Sequence, residues 1–342
     1  MDRKYYAEEF SSRLEQREQY KQSLDQFIYQ LEKDKDKDRL NFMPFDAFAK
    51  DPEHYRKAFI DMLGFPLNQP LQNPKLISKK LIAKDGNVTI YRMQFEVLDC
   101  IKYYGILFEQ DDKDAPFLIG FHGKEGTPEV CSSIYKDSSN YNHMIRRATD
   151  RGASVFVGQN LLWNKNEYKE DYDREWVDSR LRRLGGSVVA LELYITSCLL
   201  SYFEENHCIN MNKVGAFGLS YGGMYTVLFS AIDKRVRACC SCSWFSDTDG
   251  HTFPDWCHKN AEFTFGNAQI AGLVAPRPMA LAMGNSDQIF NGQGTLLEGE
   301  VVKEYYKAFN KQDNLICYLF DGVHEFDTTD KGLDFLFEAL ND

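Results

Sequence analysis

No uninterrupted apolar run in this 342-residue chain approaches the ~18 residues that a membrane-spanning helix requires. The start, Met-Asp-Arg-Lys-Tyr-Tyr, has no apolar core of the kind a secretory signal carries, so no signal peptide is expected. Positive charge is outweighed: 40 Lys and Arg stand against 51 Asp and Glu, a net charge of −11. Nucleic acid and anionic membrane both call for a positive surface, and neither is expected as a partner. The nine cysteines are odd in number and follow no regular framework. They read as free thiols in a reducing cytoplasm. Cys239, Cys240 and Cys242 lie in a strand-like run, where alternation sends Cys240 and Cys242 to one face and Cys239 to the other. That is a poor metal cage, and small buried core residues are the better reading.

What is present reads as a large α/β protein. Residues 1–78 are expected to form a helical extension. Phe10, Leu14, Leu24, Phe27, Ile28 and Leu31 space out an amphipathic helix over 7–31, and 52–64 reads as a second helix stopped by Gly64 and Pro66. The alternating charges of 32–39 read as a solvated helix end or surface turn. From residue 79 the period changes. Strands are expected at 81–84, 88–98, 101–108, 116–121, 154–157, 214–217, 236–243, 278–283 and 315–320, with helical patterns between most of the later ones. Strands alternating with helices predict a mostly parallel central sheet covered by helices on both faces, entered through an antiparallel hairpin. The catalytic unit is expected to span 79–342.

The strongest local signal is Gly218-Leu219-Ser220-Tyr221-Gly222-Gly223, directly behind the apolar run Val214-Gly215-Ala216-Phe217. It reads as a serine on a strained strand-to-helix turn, with glycines where a side chain would collide with its neighbours. An incidental serine on a Gly-rich turn is the plain alternative. Against it, partners follow in the order Ser, acid, His, each just past a predicted strand. The strand at 278–283 runs into Gly284-Asn285-Ser286-Asp287, and the last strand runs into Asp321-Gly322-Val323-His324. Ser220 is therefore the expected nucleophile, His324 the general base and acid, and Asp287 the orienting acid. Asp247 and Asp249, one strand earlier, are the substitutes if the strands are misplaced. Two N–H groups are needed for the oxyanion. Tyr221, after the nucleophile, supplies one, and Lys124 in Phe121-His122-Gly123-Lys124-Glu125-Gly126 is expected to supply the other through its backbone.

A connection at 158–184 is long enough to act as a lid. It carries Leu161, Leu162, Trp163, Tyr168, Tyr172 and Trp176, and Trp244, Phe245, Phe253 and Trp256 form a second aromatic set. Sugar faces stack on such rings, so His122, Trp163, Trp244 and Phe245 are candidate substrate contacts. Aromatic packing between lid and core explains the same residues equally well.

With these pieces in place, the chain resembles the α/β-hydrolase superfamily, and within it the dienelactone-hydrolase-like and acetyl xylan esterase-like bacterial proteins. The likeness is carried by His122-Gly123, Gly185-Gly186, the serine motif, Ala275-Pro276-Arg277-Pro278, 284–287 and Gly322-Val323-His324-Glu325. Met62-Leu63-Gly64-Phe65-Pro66 resembles the end of the N-terminal extension in the acetyl xylan esterase-like group. The resemblance implies an α/β-hydrolase fold and a Ser-His-Asp ester hydrolase with no metal or organic cofactor. Its expected partner is a small-molecule ester, an acetylated oligosaccharide among the candidates. Ser220 departs from the cysteine nucleophile of the dienelactone hydrolases proper. A serine peptidase of the same fold and a catalytically silent binding protein are the rival readings.

Overall fold

The structure is a computed structural model that describes residues 9–134, 139–206, 209–247 and 253–341. Four helices come first: α1 (Ser12–Glu32), α2 (Lys35–Phe42), α3 (Phe45–Lys50) and α4 (Pro52–Leu63). The strands are β1 (Lys75–Asp85), β2 (Val88–Val97), β3 (Ile101–Gln110), β4 (Phe117–Phe121), β5 (Ser154–Gly158), β6 (Val214–Leu219), β7 (Ala238–Cys242), β8 (Met279–Gly284) and β9 (Leu315–Phe320). Between and after them run α5 (Pro128–Cys131), α6 (Met144–Asp150), α7 (Lys165–Tyr168), α8 (Arg174–Arg183), α9 (Val188–Glu205), α10 (Tyr221–Ile232), α11 (Ala261–Thr264), α12 (Asn267–Gly272), α13 (Gly292–Ala308) and α14 (Lys331–Asn341).

All nine strands join one sheet in the order β1-β2-β3-β5-β4-β6-β7-β8-β9. The first three strands pair antiparallel, as does β3 with β5, and every pairing from β5 to β9 is parallel. Alternation along the strands divides the core between two faces. Ile119, Ala216 and Cys239 belong to one cluster, with residues of α4, α9, α10, α12 and α13. Leu118, Phe217, Cys240 and Cys242 belong to the other, with α6 and α14. The cysteines thus fill core positions, split as their spacing predicts. Among the described residues, no group of three or more metal-ligating side chains occurs, and no helix is long and apolar enough to cross a membrane.

The helices before the sheet differ from expectation in two places. No residue of α1 is buried, and Phe27, Ile28 and Leu31 stay exposed, so its apolar residues do not face the core. The charge run holds a buried member: Arg39, 3% exposed, donates to the Glu262 carboxylate and, at 3.0 Å, to its backbone oxygen. A sign pattern alone does not reveal a partner 223 residues away.

α4 is tied closely to the sheet-bearing part. Asp51 caps it by accepting from His54 N, with Pro52 in the first turn. Phe59 is fully buried, worth roughly 1.5–3 kcal/mol relative to exposure. Arg56 donates to Ala231 O and Leu273 O, at the C-terminal ends of α10 and α12. Gly64 sits at φ +87°, and a Cβ there would overlap Gly185 O. That close approach lets Phe65 N reach Gly185 O at 2.9 Å and Ser187 Oγ reach Leu63 O at 2.9 Å.

Candidate active site

Ser220 stands between β6 and α10 with φ 59° and ψ −123°. A non-glycine residue with such a φ carries about 1–3 kcal/mol of strain, which surrounding structure must hold. Ser220 N donates to Cys242 O of β7 at 2.9 Å. On the other side a Cβ at Gly222 would overlap Phe121 O of β4, so only glycine allows the helix to start there. The turn is therefore wedged between two strands. Ser220 is half-buried and makes no side-chain cap to its own helix. Its hydroxyl opens on a cavity of about 220 Å³ that His324, Lys124, Tyr141, Trp256 and Phe290 also line.

His324 lines that cavity, and Asp287 is bonded to its ring without lining the space itself. Asp287 follows β8 and His324 follows β9, and His324 Nδ1 lies 2.8 Å from Asp287 Oδ2. The Asp287 side chain has no solvent exposure and the His324 side chain keeps 17%. Burial alone would raise the Asp287 pKa. The bond to His324, together with N–H donors from Phe290 at 3.0 Å and Ile289 at 2.8 Å, outweighs it and holds the carboxyl below its ordinary value. With Nδ1 donating to this carboxylate, the ring presents Nε2 as its acceptor. Among the described residues, Ser220 Oγ makes no direct bond to the ring. Such contacts commonly tighten only with substrate bound.

Among the described residues, backbone N–H groups without an intramolecular acceptor lie on two sides of the cavity. The first N–H groups of α10, beginning with Tyr221, have no intrahelical acceptor. In the loop after β4, Gly123 N donates to Tyr141 Oη, Glu125 N to Leu162 O and Gly126 N to Gly123 O. Lys124 N is left without an acceptor among the described residues. The Lys124 ammonium lies 5.4 Å from the centre of the Phe253 ring.

Several expected contacts lie elsewhere. His122 is fully buried behind the loop, with Nδ1 2.9 Å from Gly123 O and Nε2 accepting from Asn160 N at 3.1 Å. Burial pushes its pKa down to about 4, so it is neutral and structural in its surroundings. Trp163 packs on Tyr172, ring centres 4.5 Å apart, and gives its N–H to Glu170 O. Phe245 is a core residue, 1% exposed. Trp244 lines a second cavity, as does Asp247, whose carboxylate accepts from Asn291 at 3.5 Å. Asp249 lies outside the described residues. The cavity beside Ser220 is closed instead by Tyr141, Phe253, Trp256, Ile289 and Phe290. Of these, Ile289 and Phe290 were legible in principle, because they follow Asp287 in the same turn.

The segment 158–184 is anchored by buried charge. Arg174, 9% exposed, donates to Asp255 at 2.9 Å, to Glu192 at 3.1 Å and to Tyr225 Oη at 2.7 Å. Burial disfavours its charge, but the two carboxylates outweigh that and raise its pKa. Tyr221 Oη donates to the other oxygen of Asp255 at 3.0 Å. A hinged lid at this point would have to break an ion pair in the core, so α8 is fixed to α9 and α10.

No family model matches the chain. A Bacillus subtilis (strain 168) protein named "Putative hydrolase YtaP" is 25% identical over 145 residues, which are 40% of this chain and 47% of that one. The match thus spans about half the length of this curated relative. Among solved structures, a "putative acetyl xylan esterase" from Bacteroides fragilis aligns with TM-score 0.63 and 15% identity, over 82% of this chain and 79% of that one. A glucuronoyl esterase from Solibacter usitatus aligns with TM-score 0.62 and 14% identity, over 83% and 91%. With the sheet order and the serine turn, these likenesses identify the architecture: the chain has the α/β-hydrolase fold.

Proposed function

We propose that the protein is a serine-dependent carboxylic ester hydrolase, acting on short-acyl esters with acetyl esters of sugars foremost. The observation that carries this reading is the His324–Asp287 pair, 2.8 Å apart, whose histidine lines the cavity that Ser220 enters from its strained turn. Ser220 Oγ attacks the ester carbonyl while His324 Nε2 takes its proton. Tyr221 N–H and Lys124 N–H hold the oxygen that gains charge. Collapse of the adduct expels the alcohol, which receives the proton from His324, and leaves an acyl group on Ser220. Water, deprotonated by the same ring, then releases the acid. Asp287 keeps the ring in the required tautomer throughout.

The names of the two aligned esterases support a sugar ester as substrate, and the aromatic closure of the cavity suits both a small acyl group and a sugar face. All eight described cysteines are unpaired, which supports a reducing, cytoplasmic setting. On this reading the helical extension before the sheet packs on the catalytic unit through α2, α3 and α4, and the unit's sheet begins at Lys75.

A series of p-nitrophenyl esters beside peptide anilides tests the proposal. Hydrolysis of the acetyl ester with kcat/KM falling by butyryl and beyond is expected, since each methylene that a pocket does or does not accept changes binding by about 1–3 kcal/mol. Cleavage of the anilides alone would replace the reading with a peptidase. A rise from acetyl to octanoyl would replace the short-acyl reading with a lipase-like one.

A further inference from the structure

Two loops carry groups assigned to the reaction, and one short stretch of chain, 140–142, bonds to both. Tyr141 is buried, lines the serine cavity, and its hydroxyl oxygen accepts the Gly123 N–H at 2.8 Å. The loop after β4 is closed tightly around that oxygen: a Cβ at Gly126 would overlap it, and one at Gly123 would lie 3.3 Å from it. Gly123 also packs on the nucleophile, since its Cβ would come within 3.3 Å of the Ser220 Cβ. The tyrosine oxygen thus fixes how the loop sits against the serine.

The residues on either side reach the other loop. Asn142 Nδ2 donates to Glu325 Oε2 at 2.8 Å and to Phe326 O at 2.7 Å, and Phe326 N donates to Asn140 O at 2.8 Å. The Glu325 carboxylate closes the turn that presents His324. Its other oxygen accepts Val323 N at 3.2 Å, while Glu325 N donates to Val323 O at 2.9 Å. Asn142 and His143 both have left-handed backbones, with φ 47° and 52°. Such a conformation is uncommon outside glycine and persists where the surroundings over-determine it.

We propose that Tyr141 and Asn142 are positioning residues, a clamp that holds the N–H loop and the histidine turn in register around the tetrahedral intermediate. The inference rests on the ester hydrolase reading and adds to it two residues that act through others. Tyr141 takes up the Gly123 N–H, while Glu125 N and Gly126 N are held by Leu162 O and Gly123 O. Among the described residues, Lys124 N is then the N–H of this loop left for the substrate oxygen. Asn142, through Glu325, holds the turn from which His324 faces the cavity. A displacement of about 1 Å in either loop is enough to cost about 10²-fold in rate.

Tyr141→Phe removes the oxygen and keeps the ring. Its kcat/KM for p-nitrophenyl acetate is expected to fall about 10- to 100-fold, approaching the loss of one oxyanion donor. Methylboronic acid, which bonds to Ser220 Oγ as a tetrahedral anion, should lose affinity by the same factor. The leaving phenol, p-nitrophenol, should inhibit as it does the wild type, a split that a general loss of structure does not produce. Asn142→Asp sets a second carboxylate against Glu325 and should lower kcat/KM about tenfold or more. Adding Glu325→Gln restores an amide–carboxylate bond in reverse and should recover about threefold or more, the order of one hydrogen bond. A loss in Tyr141→Phe below about threefold, far short of one oxyanion donor, overturns the clamp. Equal weakening of both inhibitors, or no recovery in the double variant, overturns it as well. If Tyr141→Phe does not fold, the exchange between positions 142 and 325 decides alone. A wild type that neither cleaves p-nitrophenyl acetate nor binds the boronic acid removes the esterase reading itself, so the two failures are told apart.

Discussion

Tyr221 Oη donates to Asp255 at 3.0 Å, and the same carboxylate receives Arg174 at 2.9 Å. Through this chain the residue after the serine, at the first turn of α10, is linked to helix α8 of the long connection. Tyr221 and helix α8 are thus joined in one buried electrostatic unit with Glu192 and Tyr225.

Removing the cation from that unit leaves Asp255 and Glu192 buried without a counter-charge. Arg174→Met is expected to cost about 3–5 kcal/mol, the range for breaking a buried ion pair from one side. Urea denaturation of the variant measures it. A loss below about 1 kcal/mol, the range of an exposed pair, would mean that the segment is not anchored there.

Asp287→Asn should lower kcat about 10⁴-fold with little change in KM, because His324 would be held in the wrong tautomer. The same substitution changes acid stability. The folded pKa of Asp287 is depressed, so its contribution is present above the unfolded value of about 3.9 and is lost as pH falls through the folded value. Below about pH 4 the variant should therefore lose stability less steeply than the wild type. If Asp247→Asn proves the damaging change, the acid has been misassigned.

A second pH window belongs to His122, which is buried, and His258, which is half-buried. His122 and His258 have pKa values pushed down by burial to about 4. Between about pH 6.5 and pH 4 the unfolded chain binds protons that the folded chain refuses. Stability therefore falls as pH falls, by up to about 1.4 kcal/mol per unit for each group. His122→Asn should show a shallower slope in denaturation measured from about pH 7 to about pH 4.5. An unchanged slope would place the titration elsewhere.

The strands were legible because their apolar runs are short and bounded by turn residues, with β-branched or aromatic residues in most of them, though not in β7 or β8. β4 through β9 lie within a residue or two of where the pattern places them, and β1 begins earlier, at Lys75. Ser220, Asp287 and His324 could be read for the same reason: each closely follows one of these strands. The aromatic lining could not. Trp163, Trp244 and Trp256 lie outside the strands and longer helices, where no periodicity says which way a ring turns. Only packing sends Trp256 to the serine cavity while Phe245 enters the core. Arg39 was equally opaque, since its partner Glu262 is distant in sequence.

Gly222→Ala is expected to abolish activity, since its Cβ would overlap Phe121 O and must push α10 off the sheet or the serine off its turn. Measured turnover should fall to background even where circular dichroism shows a folded chain. Retention of more than half the activity would show that the turn yields more easily than its packing indicates.

The central claim is that Ser220 is the nucleophile. A fluorophosphonate probe followed by peptide mass mapping tests it most directly, because the probe bonds only to an activated hydroxyl. One adduct is expected, on the peptide containing Ser220, absent in Ser220→Ala and strongly slowed in His324→Ala. Modification of a different residue, or equal labelling of Ser220→Ala, would contradict it.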